Sequence, residues 1–211
     1  MRLSIDAKVA QPNLQTEEGK LSYLGQINAD KKGKIQELLD THTSTKERLE
    51  DYQSLKDKIT PLQVNSILDL GCGINPIALA SKEINYSATD INEDDLKLIK
   101  IYFKTNKIQG EVFTYDLRAL KNPLPKADLC LLLKVFDVLE TKGHKLAEKI
   151  INFIQCKYIL ISFSTKTLSG KPMNHPQRGW IERLLKRLNY KYECFKTKNE
   201  IFYLVNKQLT H

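Results

Sequence analysis

No stretch of this chain approaches the roughly 20 consecutive apolar residues that a bilayer-spanning helix requires. The opening residues, MRLSIDAKVAQPN, also lack the apolar centre of a secretory signal. These absences argue against a membrane span and against export, so a soluble, cytoplasmic protein is expected. Cysteine is scarce. Cys72, Cys130, Cys156 and Cys194 stand far apart, three of them inside apolar stretches, a spacing that suits neither a disulfide framework nor a zinc or iron–sulfur ligand set. Buried reduced thiols and no metal site are the expectation. Internal repeats and low-complexity tracts are missing too, and the one linker-like stretch, QPNLQTEEGK (11–20), is short.

What remains is an ordinary globular composition, 41% hydrophobic and 27% charged over 211 residues. That is enough for one full core with a small appendage. The net charge of +8 is unevenly spread. Basic and acidic side chains balance at 10 each in residues 1–60 and stand at 9 against 11 in 61–140, whereas 141–211 holds 14 basic against 4 acidic. A polyanionic partner fits this asymmetry, because neutralised phosphates release counterions and a basic face steers encounter. A merely solvated, lysine-rich surface fits the charge equally well.

Apolar stretches at 65–70, 84–89, 111–115, 128–134 and 157–163 have the length of buried strands. Helical patterns lie between them. Segment 92–107 opens on Asn92 as a cap candidate and carries Leu96, Ile99 and Phe103, while 143–154 carries Leu146, Ile150 and Ile154. Alternating strand and helix predicts a mostly parallel sheet. After Pro176, segment 177–189 aligns Trp180, Ile181, Leu184, Leu185 and Leu188 on one face, and alternating runs at 190–196 and 200–205 flank Thr197-Lys198-Asn199. That ending reads as a helix and a closing antiparallel hairpin, giving seven strands. Residues 1–60 hold no convincing strand. Their apolar residues recur at helical spacing in 34–40 and 46–59, the second helix starting on a Ser44/Glu47 capping box. A small N-terminal helical cap (1–60) before a sheet domain (61–211) is expected.

The chemistry begins where the first strand ends. ILDLGCGINP (67–76) places Asp69, Gly71 and Gly73 in a tight turn that lets a ligand approach bare backbone. A dinucleotide fingerprint wants a third glycine where Pro76 stands, so a ligand without phosphates at the helix start fits better. Asp90 ends the second strand, placed to accept both hydroxyls of a ribose. Asp116 ends the third, placed to accept from an adenine amino group, with Leu117 beside it offering backbone and apolar surface. Each acid alone reads equally well as a cap or surface residue. Three strand ends facing one edge make a shared site the better joint reading. Lys134, closing the apolar LLLK run, brings a charge to the same edge, unless its stem packs on apolar surface and its head is solvated.

HTSTKERLEDY (42–52), ILDLGCGINPIAL (67–79), LLLKVFDVLE (131–140), ILISFSTKTLSGK (159–171) and NEIFYLV (199–205) resemble, in order and spacing, the blocks of the aminoglycoside-resistance 16S rRNA (guanine-N7) methyltransferases. The glycine loop is common to very many methyltransferases, whereas STKERL and SFSTKTLSGK are more specific to this group. The resemblance implies an α/β, Rossmann-like class I methyltransferase fold that binds S-adenosyl-L-methionine (SAM) and acts on ribosomal RNA or the small ribosomal subunit, as a monomer. It implies that Gly71 and Gly73 line the methionine part of SAM, Asp69 sits near its amino group, Arg48 reaches its carboxylate, Asp90 holds the ribose and Asp116 the adenine, with Lys134 counted in the cofactor site. Against this family the N-terminal region reads as shortened, and PMNHPQRGW (172–180) departs from its pattern.

The implied reaction asks little of acid or base. A sulfonium methyl is already activated and guanine N7 has a lone pair with no proton to remove, so positioning carries the catalysis and no catalytic side chain is assigned. His175, in a proline-rich loop, reads as a turn residue rather than a base. A base in structured RNA must be flipped out and stacked; Phe136, Phe163 and Trp180 are the aromatic candidates, with core packing as the alternative for each. Lys166, Lys171 and Arg178 form a basic loop after the fifth strand, continued by Arg183, Lys186 and Arg187. Two other readings stay open, a SAM enzyme for a small molecule or protein and a silent RNA-binding or assembly factor. The intact acids and glycines count against the second.

Overall fold

The computed structural model describes residues 48–139, 144–166 and 176–210, with Thr16, Gly19, Lys171 and Met173. Strands β1 (Ser66–Leu70), β2 (Asn85–Asp90), β3 (Val112–Thr114), β4 (Ala127–Leu133) and β5 (Cys156–Ser164) run parallel. Strands β6 (Tyr190–Lys196) and β7 (Glu200–Thr210) join them antiparallel, in the sheet order β3-β2-β1-β4-β5-β7-β6. The five parallel strands lie within one residue of their expected bounds. Strand β7 runs on past residue 205, because pairing with β6 continues to Tyr190↔Thr210 after the apolar alternation has faded.

Helices α1 (Tyr52–Ile59), α2 (Pro76–Leu79), α3 (Glu93–Asn106), α4 (Val135–Leu139), α5 (Lys145–Phe153) and α6 (Gly179–Arg187) cover the sheet. The sequence reading anticipates α1, α3, α5 and α6. It misses α2 and α4, which are too short for a 3.6-residue period to show. Of the N-terminal helical cap, a 3₁₀ turn (Leu49–Asp51) leading into α1 is described; the expected helix at 34–40 and the Ser44/Glu47 capping box lie outside the described residues.

Two apolar layers sandwich the sheet. On one face Tyr52, Leu55 and Ile59 of α1 and Leu96, Ile99 and Phe103 of α3 pack on Ile67, Tyr86, Leu129 and Leu131. On the other, Ile150 and Ile151 of α5 and Ile181, Leu184 and Leu185 of α6 pack on Leu68, Cys130, Leu132 and Ile159. Successive residues of β4 therefore point into opposite layers, which is why that strand is apolar from Leu129 onward instead of alternating. The cysteine expectation needs correcting. All four are free, but only Cys72 and Cys130 are buried; Cys156 is half-buried and Cys194 is exposed on the edge strand β6. No helix among the described residues is long and apolar enough to cross a membrane.

Helix α3 carries β2 into β3 and its start is fixed by Asn92. The Asn92 side-chain oxygen accepts from the backbone N–H groups of Asp94 and Asp95 at 3.1 and 3.4 Å, and Glu93, Asp94 and Asp95 place negative charge against the helix dipole. Asn92→Ala is expected to lower stability by about 1 kcal/mol, measured by urea unfolding, with Asn92→Ser recovering most of the loss.

Candidate active site

The winding of the sheet reverses between β1 and β4, since β2 and β3 are added on one side and β5 and the hairpin on the other. At such a switch point the loops leaving adjacent strands diverge and open a crevice at the carboxyl edge. A cavity of about 300 Å³ lies there, and Arg48, Gly71, Gly73, Asp90, Asp116, Leu117 and Lys134 all line it. Of the cofactor candidates read from the sequence, only Asp69 is absent from its wall.

The backbone after β1 needs its glycines. Gly71 has φ +65°, and a Cβ there would stand 3.0 Å from Val135 Cγ2. Gly73 also has positive φ, at +48°, and its N–H donates to Asp90 Oδ2 at 2.9 Å. Asp90 Oδ1 accepts from the N–H groups of Ile91 and Asn92 at 2.7 and 3.0 Å. One carboxylate thus braces the loops after β1 and β2. The Tyr115 N–H donates to the Asp90 carbonyl at 3.0 Å, which brings Asp116 to the same wall just beyond β3.

Asp69 lies beneath this loop, with no exposure. Its Oδ2 accepts from the Tyr86 hydroxyl at 2.8 Å, and its Oδ1 has no hydrogen-bond partner among the described residues. Burial pushes its pKa up to about 7, against the pull of the Tyr86 hydrogen bond and the Arg48 charge.

Arg48 reaches the cavity from the turn before α1, yet is only 1% exposed. Its Nε and Nη2 donate to the two carboxylate oxygens of Glu200 at 2.9 and 3.1 Å, and its Nη1 donates to Asn75 Oδ1 at 2.6 Å. Asn75 also accepts from the Tyr52 hydroxyl at 2.7 Å. Lys134 stands at the end of β4 with φ +60°, an uncommon conformation for a lysine. It is held there because its N–H donates to both the carbonyl and the hydroxyl of Ser162, at 3.1 and 3.0 Å. Tyr52, Asn75, Ser162 and Glu200 are the polar residues that the sequence reading missed. The available signal was NEIFYLV, where an acid opens an otherwise apolar strand.

The substrate candidates gather less closely, and none lines the cavity. Phe136 and Phe163 are corrected from platform to core. They are 2% and 1% exposed, and both meet Trp180 edge-on, at 6.1 and 5.6 Å between ring centroids, so neither offers a face to a base. The partly buried Trp180 stacks on His144 at 3.9 Å and 6°. Arg178 is also corrected as a phosphate contact. Its guanidinium donates to the carbonyls of Pro176 and Ser164 at 3.0 and 3.1 Å and to Asp137 at 3.3 Å, and lies over the Phe163 ring, so it staples the loop after β5. Lys171 is exposed and Lys166 half-buried. His175 lies outside the described residues.

The family model for the ribosomal RNA methyltransferase (FmrO) matches residues 8–204. The chain belongs to this family. This FmrO-family chain is 24% identical over 184 residues to a 16S rRNA (guanine(1405)-N(7))-methyltransferase of Frankia casuarinae, covering 82% of this chain and 64% of that protein. It is 29% identical over 182 residues to the protein of the same name in Serratia marcescens, covering 83% and 71%. The chain thus spans about two thirds of the length of these relatives, and slightly less than that of the Frankia protein. Among solved structures, the 16S rRNA methyltransferase RmtF in complex with S-adenosyl-L-homocysteine superposes with a TM-score of 0.76 at 23% identity, over 90% of this chain and 75% of that one. The 16S rRNA methylase ArmA gives a TM-score of 0.70 at 25% identity, over 90% and 97%.

Asp69 makes the stability of this FmrO-family chain depend on pH in a definite direction. The folded chain keeps the Asp69 proton to about pH 7, whereas the unfolded chain releases it near the ordinary carboxylate pKa of about 4. Folding takes up a proton between those limits, so the Asp69 contribution to stability falls as pH rises from about 4 to about 7. Asp69→Asn keeps an acceptor for Tyr86 without the charge and is expected to flatten that fall. Urea unfolding at about pH 5 and about pH 8 should show the variant gaining on the wild type at the higher pH; a constant gap would mean that Asp69 is ionised throughout.

Proposed function

We propose that the chain is a cytoplasmic SAM-dependent methyltransferase that methylates guanine N7 in ribosomal RNA. The observation that carries this is the cavity at the switch point, whose wall joins a glycine turn, a carboxylate at each of two strand ends and a buried guanidinium. The relatives in Frankia casuarinae and Serratia marcescens bear that activity in their names, and RmtF was solved with S-adenosyl-L-homocysteine.

The residues present fit such a cofactor on their own chemistry. Asp69 Oδ1 is a buried acceptor without a partner among the described residues, suited to an ammonium group. The bare backbone of Gly71, where a side chain would collide with Val135, suits close approach of the methionine part. Arg48 and Lys134 serve a carboxylate, Asp90 a ribose, and Asp116 and Leu117 an adenine. Ile91 and Val138, exposed at 59% and 77%, both line the cavity and give it an apolar rim that can exclude water. Bound there, SAM supplies a methyl group already activated on its sulfonium. The task of the protein is to hold the acceptor nitrogen in line with it, and a guanine N7 has no proton for a base to remove.

For the RNA, Lys166 and Lys171 flank the loop after β5, and Lys145, Lys149, Arg183 and Lys186 stand exposed on α5 and α6. Such cations bind phosphates and set register without reading sequence. Trp180 lies on α6 and His144 immediately precedes α5, so their stack joins the two basic helices and is the aromatic pair assigned here to a flipped base. In this reading residues 61–211 form the catalytic domain of a monomer, and residues 1–60 contribute Arg48 and a substrate-facing cap.

Labelled SAM offered with total RNA and with assembled small ribosomal subunits, followed by mapping of the modified nucleotide, tests the function. Label at a guanine N7 is the expected result; label only in protein or in a small molecule would overturn it. Asp90→Ala, which removes the ribose acceptor, is expected to weaken SAM binding by about 100-fold, the scale of two hydrogen bonds to a charged group. Calorimetric titration beside a circular dichroism control checks this, and equal affinities would remove Asp90 from the site.

A further inference from the structure

The cavity account leaves one buried carboxylate without a task. Glu200, the first residue of β7, has no exposure and does not line the cavity. Its carboxylate nevertheless accepts from Arg48 Nε and Nη2 at 2.9 and 3.1 Å and from the Ser162 hydroxyl at 2.6 Å. Lys134 Nζ lies 3.7 Å from the same group. Two of the three cations that line the cavity, Arg48 and Lys134, therefore share one anion behind its wall. Glu200 also holds Lys134 by a second route, since the hydroxyl that donates to Glu200 accepts from the Lys134 N–H at 3.0 Å.

The arrangement has two consequences for a ligand. A guanidinium carries five N–H groups, and Glu200 and Asn75 engage three of those on Arg48. What capacity remains lies on the terminal nitrogens, where the Tyr52 hydroxyl also interacts, and since Arg48 lines the cavity it can be offered to a carboxylate there. Arg48 and Lys134 also set two cations against the single Glu200 carboxylate, an arrangement to which an incoming carboxylate adds a second anion.

We propose that Glu200 is a positioning residue for recognition of the methionine carboxylate, fixing the Arg48 guanidinium and the Lys134 side chain behind the cavity wall so that their remaining capacity is offered to that group. The proposal rests on the cofactor reading above. It differs from a purely structural ion pair in what it predicts. A structural pair stabilises the pocket for any adenosine ligand, whereas a positioning residue affects only ligands that bear the carboxylate.

The test is calorimetric titration with S-adenosylhomocysteine and with its decarboxylated counterpart, which differ only in that group. The wild type is expected to prefer S-adenosylhomocysteine. Glu200→Gln should shrink that preference on the order of tenfold, the scale of one hydrogen bond between charged groups, with the decarboxylated ligand held within about twofold. Glu200→Asp keeps the charge on a shorter stem and should show a smaller loss; it also serves as the reporting variant should the buried guanidinium in Glu200→Gln unfold the chain. In an Arg48→Met background, Glu200→Gln should change the preference no further, because its effect runs through Arg48. An unchanged preference in folded Glu200→Asp and Glu200→Gln, or an equal loss for both ligands, would overturn the positioning role. Failure of the wild type to bind either ligand would overturn the cofactor reading itself and the proposal with it.

Discussion

A guanidinium and a carboxylate withdrawn from water must satisfy each other almost completely, because the desolvation of each costs several kcal/mol. Arg48 and Glu200 meet that condition through a two-point pair, with Asn75, Tyr52 and Ser162 taking up further donors and acceptors. Much of the carboxyl edge depends on the result. The pair joins the turn before α1 to the start of β7, Ser162 adds β5, and through Ser162 the left-handed backbone of Lys134 at the end of β4 is held in place. Water is kept out by the apolar layers on both faces of the sheet, so the core and the polar network require each other. Without the network the edge would bury uncompensated charge, and without the layers the pair would be an ordinary solvated salt bridge of small worth.

On the other side of the switch point, shape and ligand chemistry fall on the same residues. Asp90, which lines the cavity, braces the glycine turn and the start of the next loop with its two carboxylate oxygens. The turn can be tight only because Gly71 and Gly73 take positive φ. Asp69, one layer deeper, remains partly unsatisfied. A buried acceptor of this kind is costly in an inert scaffold, and burial answers part of that cost by holding the Asp69 carboxyl pKa up at about 7.

Fold and site were legible to different depths. The doubly covered strands and the amphipathic helices α3, α5 and α6 announce themselves by period, and Asn92 by its position before an acidic first turn. Seven strands, mostly parallel with a closing antiparallel hairpin, follow once alternation and the hairpin are combined, whereas their order in the sheet comes from the structure. Short elements escape, because four residues of α2 or five of α4 carry no period. The strand-end residues Asp90 and Asp116 could be read because a parallel sheet brings every strand end to one edge. Glu200 could not, since an acid opening a strand looks like a surface residue until the fold sets an arginine from the other end of the chain against it. Phe136, Phe163 and Arg178 erred for the complementary reason. Sequence places them at the right edge but does not say whether they point outward, and Trp180 and the Ser164 carbonyl claim them.

The separation between the partners of the buried pair also bears on how the protein is made. Arg48 and Glu200 are 152 residues apart, and β7 must slot between β5 and β6 before they can meet. At about 5–20 residues per second of synthesis, a ribosome needs roughly 8–30 seconds to travel from one to the other. During that interval β1 to β5 can assemble from nearer neighbours, while the Arg48 guanidinium stays hydrated and the cavity lacks one wall. Pairings so distant in sequence form late because loop closure must be met first. The nascent chain therefore passes through a stage with most of its sheet and no finished pocket, and insertion of the final strand completes the fold and the pocket together.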